Sequence, residues 1–333
     1  MSFQQDSYQN VRVAVLGAAG FIGRWVARAL TAQGARLFLF VRDAVRAAET
    51  FAAYGVRGDI IELDLAVPGR WREALLAVRP TITFNLAEYG VDRTDRDDAT
   101  AYRINTELVR QLAETLAPIR DSQWTGQDLV HVGSALEYGE LRNDLAEDST
   151  PIPTTLYGKS KLAGTEALAA LCHERKLRAL TARLFTVYGP GEPAGRLLPT
   201  LFEAARTRTP LPLTDGRQQR DFAYVADVAE GLLRLGVSPT KPGNIVNLAT
   251  GRLTSVRQFA EYGAGVLKLS DGILQFGALP TRLEEMAHQP VAVTRLAALT
   301  SWLPPTSIPA GIRLAKEFET TANTSLTQVA LSS

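Results

Sequence analysis

The chain has 333 residues, of which 46% are hydrophobic and 21% are charged, and its formal net charge is +1 at pH 7. This length predicts one large domain or two joined lobes, and a near-neutral charge without a basic run argues against a nucleic-acid-binding surface. No apolar run approaches the roughly 18 residues of a membrane span, and the N-terminus lacks the basic and apolar regions of a signal peptide. Cys172 is the only cysteine, so no internal disulfide forms, and a reducing cytoplasm is the expected location.

The first half of the chain alternates between strand and helix patterns. Helical stretches, the longest near 98–117 and 155–175, separate short apolar runs. This alternation predicts right-handed crossovers and an α/β fold, a doubly wound parallel sheet with helices on both faces. Continuous apolar strands agree with burial on both faces. The predicted strands are 11–17, 36–41, 59–65, 81–87, 128–134 and 177–185.

Beyond about residue 186 the pattern loosens into loops rich in Gly, Pro and charge. Helical stretches near 196–207, 225–236 and 254–267 lie among these loops. They predict a smaller lobe beside the carboxyl ends of the strands, where open parallel sheets bind ligands. The predicted division is a dinucleotide-binding domain over 11–185, a substrate lobe over 186–318 interleaved with it, and a flexible polar tail over 319–333.

A glycine loop, GAAGFIG, joins the first predicted strand to the first predicted helix. It supplies Gly17, Gly20 and Gly23, with Phe21 and Ile22 opening the helix. Glycines in this context let the backbone approach a pyrophosphate at a helix N-terminus. The loop therefore predicts a Rossmann-type dinucleotide site; the alternative is a tight strand-to-helix turn without a ligand.

The end of the second strand bears on the choice of dinucleotide. NAD-binding chains usually carry an acidic residue there for the ribose 2′-hydroxyl, but here Val41 takes that position and Arg42 follows. A guanidinium pairs well with a 2′-phosphate, which favours NADP, with NAD possible because Asp43 is close. The alternative is that Arg42 is a solvent-exposed arginine at the cap of the following helix, with no role in cofactor binding. Asp64 and Leu65 are predicted to border the adenine, unless Asp64 only closes a turn.

Tyr157 and Lys161 stand four positions apart, a spacing that by itself decides nothing. In company with other motifs in a fixed order, the chain resembles the extended short-chain dehydrogenase/reductase family of nucleotide-sugar epimerases, dehydratases and reductases over roughly residues 11–318. The motifs are GAAGFIG (17–23), NLA (85–87), Asn105, GSALEYG (133–139), YGKSK (157–161), RLFTVYGPG (183–191), RDFAYVADVA (220–229), NIVNLATG (244–251) and a closing WLP (302–304).

The resemblance implies that Ser134, Tyr157 and Lys161 form the catalytic set. Lys161 lies one helical turn from Tyr157, on the same face. Its ammonium is expected to lower the tyrosine pKa from about 10, so that the hydroxyl exchanges a proton near neutrality. Ser134 is expected to hydrogen-bond the reacting oxygen and Lys161 to hold the nicotinamide ribose. The resemblance also implies cofactor contacts from Leu86, Ala87 and Asn105.

The residues after Ser134 bear on the reaction. Dehydratases of this family resemble one another in having acidic residues there, whereas this chain has Ala135 and Leu136, which exchange no protons. Glu137 follows, either as a substrate contact or with a role that the sequence does not reveal. The leading hypothesis is NADPH-dependent reduction of a nucleotide-linked 4-keto-6-deoxyhexose at C4, with Tyr157 as proton donor. The alternative is a nucleotide-sugar epimerase that keeps NAD tightly bound.

The resemblance also implies a nucleotide-diphosphate-sugar substrate. Arg220 and Arg282 match family arginines that contact the diphosphate, and two such arginines clamp a pyrophosphate well. Thr186 replaces an Asn of many relatives. Asn85 replaces the His of the usual H-L-A-A motif, and Glu88 replaces its last alanine, which suggests an unusual substrate or stereochemistry.

Other functions have less support in the sequence. A reductase of a non-sugar carbonyl is another candidate, because that branch of the family also ends its second strand in V-R. The RDFAYVADVA element and Arg282 favour a nucleotide sugar instead. A catalytically silent NADP sensor would have no chemical need of Ser134, Tyr157 and Lys161. The histidines, His131, His173 and His288, are too scattered for a metal site. The resemblance implies a homodimer built from the helices near 98–117 and 155–175.

Overall fold

The computed structural model describes residues 7–67, 69–90, 97–280 and 287–331. The strands are β1 Arg12–Leu16, β2 Arg36–Val41, β3 Asp59–Glu62, β4 Ile82–Asn85, β5 Leu129–Ser134, β6 Ala179–Leu184, β7 Thr186–Tyr188, β8 Leu211–Leu213, β9 Gln219–Tyr224, β10 Asn244–Leu248, β11 Leu253–Ser255 and β12 Leu274–Phe276. The helices are α1 Phe21–Ala32, α2 Ala44–Tyr54, α3 Arg70–Val78, α4 Asp98–Tyr102, α5 Leu108–Leu116, α6 Leu156–Arg175, α7 Leu197–Thr207, α8 Val225–Val237, α9 Val256–Leu267, α10 Thr294–Thr300 and α11 Ile308–Leu331.

A seven-stranded parallel sheet forms the centre of the molecule, in the order β10-β6-β5-β4-β1-β2-β3. The strand order reverses beside β1, which pairs with both β2 and β4. This reversal is the topological switch point at which doubly wound sheets bind ligands. The predicted Rossmann-type fold is confirmed.

The sheet is covered on both faces, as its continuous apolar strands predicted. Alternate residues of β1 enter opposite hydrophobic clusters: Val13 and Val15 pack into one, Ala14 and Leu16 into the other. Side chains of α1 and α8 fill the first cluster, and those of α5 and α6 fill the second. Because side chains alternate across a strand, burial on both faces requires apolar residues at every position.

Most of the predicted helices are found within two residues of their expected ends, as α6, α7, α8 and α9. The stretch predicted as one helix near 98–117 is divided. Its α4 and α5 segments flank a π-helical turn at Arg103–Glu107. Such turns interrupt an α-helix by one extra residue and are frequent at functional sites.

The second half of the chain adds two small sheets. β9 pairs with β7 in parallel and with β11 in antiparallel orientation, and β8 pairs with β12. β10 returns to the central sheet beside β6, so the sheet extends beyond residue 185. α11 continues to Leu331, through most of the segment expected to be a flexible tail. The proposed domain bounds stay a prediction. Among the described residues, every helix is too short or too polar to span a bilayer.

Candidate active site

The glycine loop turns tightly between β1 and α1 at the switch point. Gly17 has φ +73°, and a Cβ atom there would lie 2.9 Å from the Leu86 carbonyl oxygen. A Cβ on Gly23 would lie only 2.1 Å from the Gly17 carbonyl oxygen. Gly20 is the N-cap of α1 and has no side chain to occupy the first N–H groups, at Phe21 and beyond. The loop thus offers a close backbone surface and free donors, which fit a dinucleotide pyrophosphate.

Arg42 lies just past β2, and that strand runs beside β1 at the glycine loop. Phe40 is in register with Leu16, and the Arg42 side chain is exposed. The neighbouring Asp43 is the N-cap of α2, and its carboxylate accepts a hydrogen bond from the Arg46 N–H at 2.9 Å. Asp43 is therefore engaged in capping through one carboxylate oxygen, and Arg42 presents an exposed guanidinium just past β2.

Asp64 and Leu65 follow β3 at the same edge of the sheet. The Asp64 carboxylate accepts a hydrogen bond from the Ala66 N–H at 2.8 Å, which closes a local turn. This contact agrees with the alternative prediction that Asp64 only closes a turn. The predicted adenine contact stays a prediction.

The loop after β4 borders the glycine loop from the other side. The Leu86 N–H donates to the Leu16 carbonyl oxygen at 3.0 Å, and the Ala87 N–H to the Asn85 side-chain oxygen at 3.3 Å. The Asn85 amide contacts His131 Nδ1 at 3.1 Å. Burial, with a smaller effect of Lys161, holds the pKa of His131 well below its usual value. A neutral imidazole therefore accepts this bond. Asn85, which stands where the usual H-L-A-A motif has His, anchors the loop after β4.

Asn105 lies in the π-helical turn and is fully buried. Its side-chain oxygen accepts a hydrogen bond from the Tyr89 N–H at 3.0 Å, and its amide donates to the Tyr89 carbonyl at 2.8 Å and to Ser160 Oγ at 2.9 Å. A Cβ on Gly164 would lie 2.0 Å from the Asn105 carbonyl oxygen. In the structure Asn105 thus fastens the β4 loop to α6, and the expected cofactor contact stays a prediction.

Ser134 and Tyr157 are brought together by the close packing of α6 on the turn after β5. A Cβ on Gly158 would lie 2.3 Å from the Leu136 carbonyl oxygen, so the first turn of α6 rests on that turn. Thr155 caps α6 by accepting from the Gly158 N–H at 3.0 Å. The Ser134 hydroxyl accepts from the Leu136 N–H at 3.2 Å, and its interaction with the Tyr157 hydroxyl acts to lower the tyrosine pKa.

The expected lowering of the Tyr157 pKa is wrong for this structure. Burial raises the pKa well above its ordinary value, Glu88 and Glu137 raise it further, and the bond with Ser134 lowers it. The Tyr157 hydroxyl donates to a Glu88 carboxylate oxygen at 2.6 Å. A phenolate would carry its charge beside this carboxylate, so the protonated tyrosine is favoured. The local sequence indicates only Lys161 as a group that acts on this pKa, whereas the fold adds burial and Glu88.

Lys161 is buried one turn along α6 from Tyr157. Its ammonium donates to the Val132 carbonyl oxygen at 2.5 Å. Burial lowers its pKa, while Glu88 and Glu137 raise it. The bond to β5 fixes the position of Lys161 at the end of the sheet; its expected contact with the nicotinamide ribose stays a prediction.

Glu137 is fully buried and forms an ion pair with the equally buried Arg183. Arg183 Nε donates to one carboxylate oxygen of Glu137 at 2.8 Å, and the Ser134 N–H donates to the other at 2.8 Å. The Arg183 guanidinium also stacks 4.4 Å from the centre of the Tyr138 ring. Both carboxylate oxygens are therefore occupied within the protein. This arrangement favours a structural role for Glu137 over the predicted substrate contact.

Two of the residues predicted to hold substrate, Thr186 and Arg220, lie on the small sheet formed by β7, β9 and β11. Thr186 opens β7 in register with Phe222 of β9, and Arg220 is half-buried on β9. The adjacent Asp221 is buried, and its carboxylate accepts from the N–H groups of Thr250 and Arg252 at 2.9 and 3.2 Å. Arg282 lies outside the described residues.

Three contacts around the site were not predicted from the sequence. They are the Glu88–Tyr157 contact, the Arg183 partner of Glu137, and His288, which accepts from the Asp221 N–H at 3.0 Å. Burial, together with Arg220, lowers the pKa of His288 to about 3. The departure from H-L-A-A at Glu88 was the one available signal, and it did not identify a partner.

A parallel sheet with a glycine loop at its switch point and a serine, tyrosine and lysine gathered beside it defines a nicotinamide-dinucleotide-dependent enzyme of the extended short-chain dehydrogenase/reductase type. Residues 13–249 match the sequence model of the NAD dependent epimerase/dehydratase family, and the chain belongs to that family.

Curated relatives cover several reactions. A dTDP-6-deoxy-L-talose 4-dehydrogenase (NAD(P)(+)) of Kitasatospora kifunensis is 29% identical over 286 residues, 83% of this chain and 82% of that protein. A UDP-glucose 4-epimerase of Mycolicibacterium smegmatis is 28% identical, covering 92% and 98%. A probable dTDP-4,6-dihydroxy-2-methyloxan-3-one 4-ketoreductase of Streptomyces antibioticus is 31% identical, covering 69% and 68%.

Solved structures share the fold at lower identity. MoeE5 in complex with UDP-glucose and NAD has a TM-score of 0.79 and 23% sequence identity, with 93% of this chain and 99% of that chain covered. Fold, cofactor class and enzyme class therefore agree with the sequence analysis, while the relatives divide between reductases, dehydrogenases and epimerases.

Proposed function

We propose that this protein reduces a nucleotide-diphosphate-linked 4-keto-6-deoxyhexose at C4, with NADPH as the reductant. The observation that carries the proposal is the arrangement after β2. Asp43 is occupied as a helix cap, and the exposed Arg42 is left as the charged group at the ribose edge. A guanidinium there favours the 2′-phosphate of NADP over the 2′-hydroxyl of NAD. Cells keep NADPH largely reduced, so a preference for it points to reduction.

The turn after Ser134 supports reduction over dehydration. Ala135 is buried, and Leu136 contacts the first turn of α6 through its backbone. Neither side chain exchanges protons, and Glu137, the next residue, is held by Arg183. Elimination across C5 and C6 of a sugar needs an acid and a base at such positions. Two of the relatives described above are named for reactions at C4 of deoxysugars.

The chain's own residues supply the proton and orient the carbonyl. When bound, the nicotinamide would supply the hydride for the carbonyl carbon. Tyr157, favoured in its protonated form by burial and by Glu88, gives its proton to the carbonyl oxygen. Ser134 donates a second hydrogen bond to that oxygen, and the oxygen therefore gains charge between two donors. Lys161 holds the cofactor ribose.

The diphosphate of the substrate is assigned to the small sheet. Arg220 on β9 supplies a guanidinium, and Thr186 on β7 supplies a hydroxyl. Asp221 fixes β9 by its bonds to the loop after β10, so the strand that carries Arg220 is held in place. Guanidinium groups bind phosphate oxygens through paired hydrogen bonds.

A nucleotide-sugar epimerase is the second candidate. The relative from Mycolicibacterium smegmatis, matched over nearly its whole length, is named as an epimerase, and the structure of MoeE5 contains NAD. An epimerase of this fold keeps NAD bound and returns the hydride to the same sugar. The two candidates therefore differ in whether the purified protein retains its dinucleotide.

The first experiment is to purify the protein, denature it, and identify any released dinucleotide. Stoichiometric NAD would support the epimerase and contradict the interpretation of Arg42. A protein that is purified without dinucleotide and binds NADPH more tightly than NADH would support the reductase. Screening nucleotide-linked keto-sugars with NADPH would then identify the substrate.

Arg42→Ala tests the cofactor preference directly. Loss of a charge-assisted bond of about 1.5–3 kcal/mol should weaken NADPH binding about 10- to 150-fold and leave NADH binding nearly unchanged. Arg46→Ala removes a neighbouring exposed arginine of α2 and is the matched control. Equal losses for both dinucleotides in Arg42→Ala would contradict the proposal.

We also propose that the protein is a homodimer located in the cytoplasm. α5 packs against α6 within the chain, and the outer faces of this helix pair would meet their copies in a four-helix bundle. Light scattering at two protein concentrations tests this assembly.

Burial raises the pKa of the Cys172 thiol to about 12, which keeps it unreactive, as suits a protein without disulfides.

A further inference from the structure

Glu88 contacts the hydroxyl that exchanges the proton. Its carboxylate is exposed on the loop after β4, whereas Tyr157 is half-buried, and the two oxygens lie 2.6 Å apart. An O–H group that donates to a carboxylate at this distance forms a strong, charge-assisted hydrogen bond. The contact therefore joins the partly enclosed tyrosine to a titratable group that solvent reaches.

The loop that carries Glu88 is held on both sides of it. On one side the buried Asn85 accepts from the Ala87 N–H at 3.3 Å. On the other side the buried Asn105 bonds both the N–H and the carbonyl of Tyr89, at 3.0 and 2.8 Å. Two fully buried amides thus bracket a single exposed residue. A carboxylate placed this way does not depend on a mobile loop to reach Tyr157.

Asn85 and Glu88 are the two departures from the H-L-A-A motif, and the structure gives them related positions. The Asn85 amide hydrogen-bonds the neutral His131 at 3.1 Å. The Asn85 side-chain oxygen accepts from the N–H of Ala87, the residue before Glu88. An alanine in place of Glu88 would offer Tyr157 no acceptor. The substitution adds a proton-carrying group where the usual motif has only a methyl group.

We propose that Glu88 is the proton-exchange partner of Tyr157 and returns a proton from solvent to the tyrosine after each turnover. The inference rests on the reduction proposed above. When the carbonyl oxygen takes the Tyr157 proton, the O–H bond breaks and its electron pair stays on the phenolate oxygen. Glu88, which has taken a proton from hydronium in the surrounding solvent, then gives that proton to the phenolate oxygen and returns to the carboxylate. One proton per turnover passes from solvent to the alcohol product.

Electrostatics give the exchange its direction. A phenolate next to a carboxylate places two negative charges in contact, and their repulsion favours prompt return of the proton. Glu137 adds to this repulsion from the turn after β5, while Ser134 acts against it. Lys161 faces the same group from α6, and the charges of both glutamates raise the pKa of its ammonium. Removal of the Glu88 charge should therefore make Tyr157 easier to ionise.

The first test needs no substrate. The ionisation of Tyr157 is followed by phenolate absorbance, with Tyr157→Phe as the reference to subtract. In Glu88→Gln, which keeps the side-chain shape, we expect ionisation about 1 to 3 pH units lower than in the parent. Glu166→Gln removes an exposed carboxylate from α6 and should leave the titration unchanged. An identical titration in Glu88→Gln and the parent would overturn the inference.

The second test uses NADPH and a nucleotide-linked 4-keto-6-deoxyhexose. Glu88→Gln should lower kcat about 10- to 100-fold with little change in KM, and the alkaline limb of its pH profile should move to lower pH. Added formate should restore turnover to Glu88→Ala but not to Tyr157→Phe. A raised KM with an unchanged pH profile would mean that Glu88 binds the sugar, and would refute proton exchange.

The two tests separate this inference from the proposed function. If the parent reduces none of the keto-sugars while the Tyr157 titration still moves with Glu88, the reduction is wrong and the partnership of the two residues is supported. If the parent reduces a keto-sugar and neither the titration nor kcat responds to Glu88→Gln, the reduction stands and the inference fails.

Discussion

The buried ion pair between Glu137 and Arg183 yields a sharp prediction about stability. The two side chains are 0% and 1% exposed, and Glu137 also holds the Ser134 backbone. Glu137→Gln keeps the shape and an acceptor for that N–H but leaves the guanidinium buried without a counter-charge. Removal of one partner of a buried pair typically costs about 3–5 kcal/mol.

This cost converts to a measurable shift in melting temperature. An unfolding entropy of about 2.1 cal/mol/K per residue gives roughly 0.7 kcal/mol/K for the 333-residue chain. A loss of about 3–5 kcal/mol should therefore lower the midpoint by about 4–7 °C. Calorimetry measures the shift where unfolding is reversible, and urea denaturation measures it where heating is irreversible.

A matched control separates burial from charge. Glu203→Gln removes the carboxylate of an exposed pair with Arg206, in which the side chains are 58% and 73% exposed, and should leave the midpoint unchanged. The double variant Glu137→Leu/Arg183→Met should recover much of the loss, because no unpaired charge stays buried and only the Ser134 N–H loses its acceptor. If Glu137→Gln melts like the parent and only its KM for the sugar rises, Glu137 is a substrate contact and the structural role is refuted.

Other perturbations test the tyrosine, a buried histidine and the glycine loop. Tyr157→Phe should keep dinucleotide binding and lower single-turnover rates about 10²- to 10⁴-fold, and a near-parental rate would contradict its role as proton donor. The pKa of His288 is about 3 when folded, against about 6.5 unfolded, so the unfolded chain binds the extra proton between these values. Stability should fall by about 1.4 kcal/mol per pH unit as pH drops below about 6.5, and His288→Asn should flatten that slope in urea titrations; an unchanged slope would mean the imidazole is protonated in the fold. Gly23→Ala forces a Cβ to within 2.1 Å of the Gly17 carbonyl and should cost about 1–3 kcal/mol, whereas Gly265→Ala on α9 enters open space and should be neutral or stabilising; equal midpoints would show that the loop adjusts freely.

The sequence determined six of the seven strands of the central sheet, the bounds of most of the helices predicted, and the glycine loop. These features depend on neighbours along the chain: a buried parallel strand needs an unbroken apolar run, and a helix needs apolar residues at its own period. Gly17 and Gly23 were recognised for the same reason, since a strand-to-helix turn requires small residues at fixed spacing. Three-residue strands such as Thr186–Tyr188 were not predicted, because pairing with distant residues alone makes them strands.

The tertiary structure decided what the charged side chains do. Glu137 acquires Arg183, 46 positions away, and Tyr157 acquires Glu88, 69 positions away. Local spacing pointed to Lys161 as the group that sets the Tyr157 pKa, yet burial and Glu88 dominate it. A pKa depends on desolvation and on the nearest charges in space, and neither is a property of the local sequence. The sequence therefore predicted Tyr157 as the reacting residue, and only the fold supplied the Glu88 carboxylate that accepts a hydrogen bond from its hydroxyl.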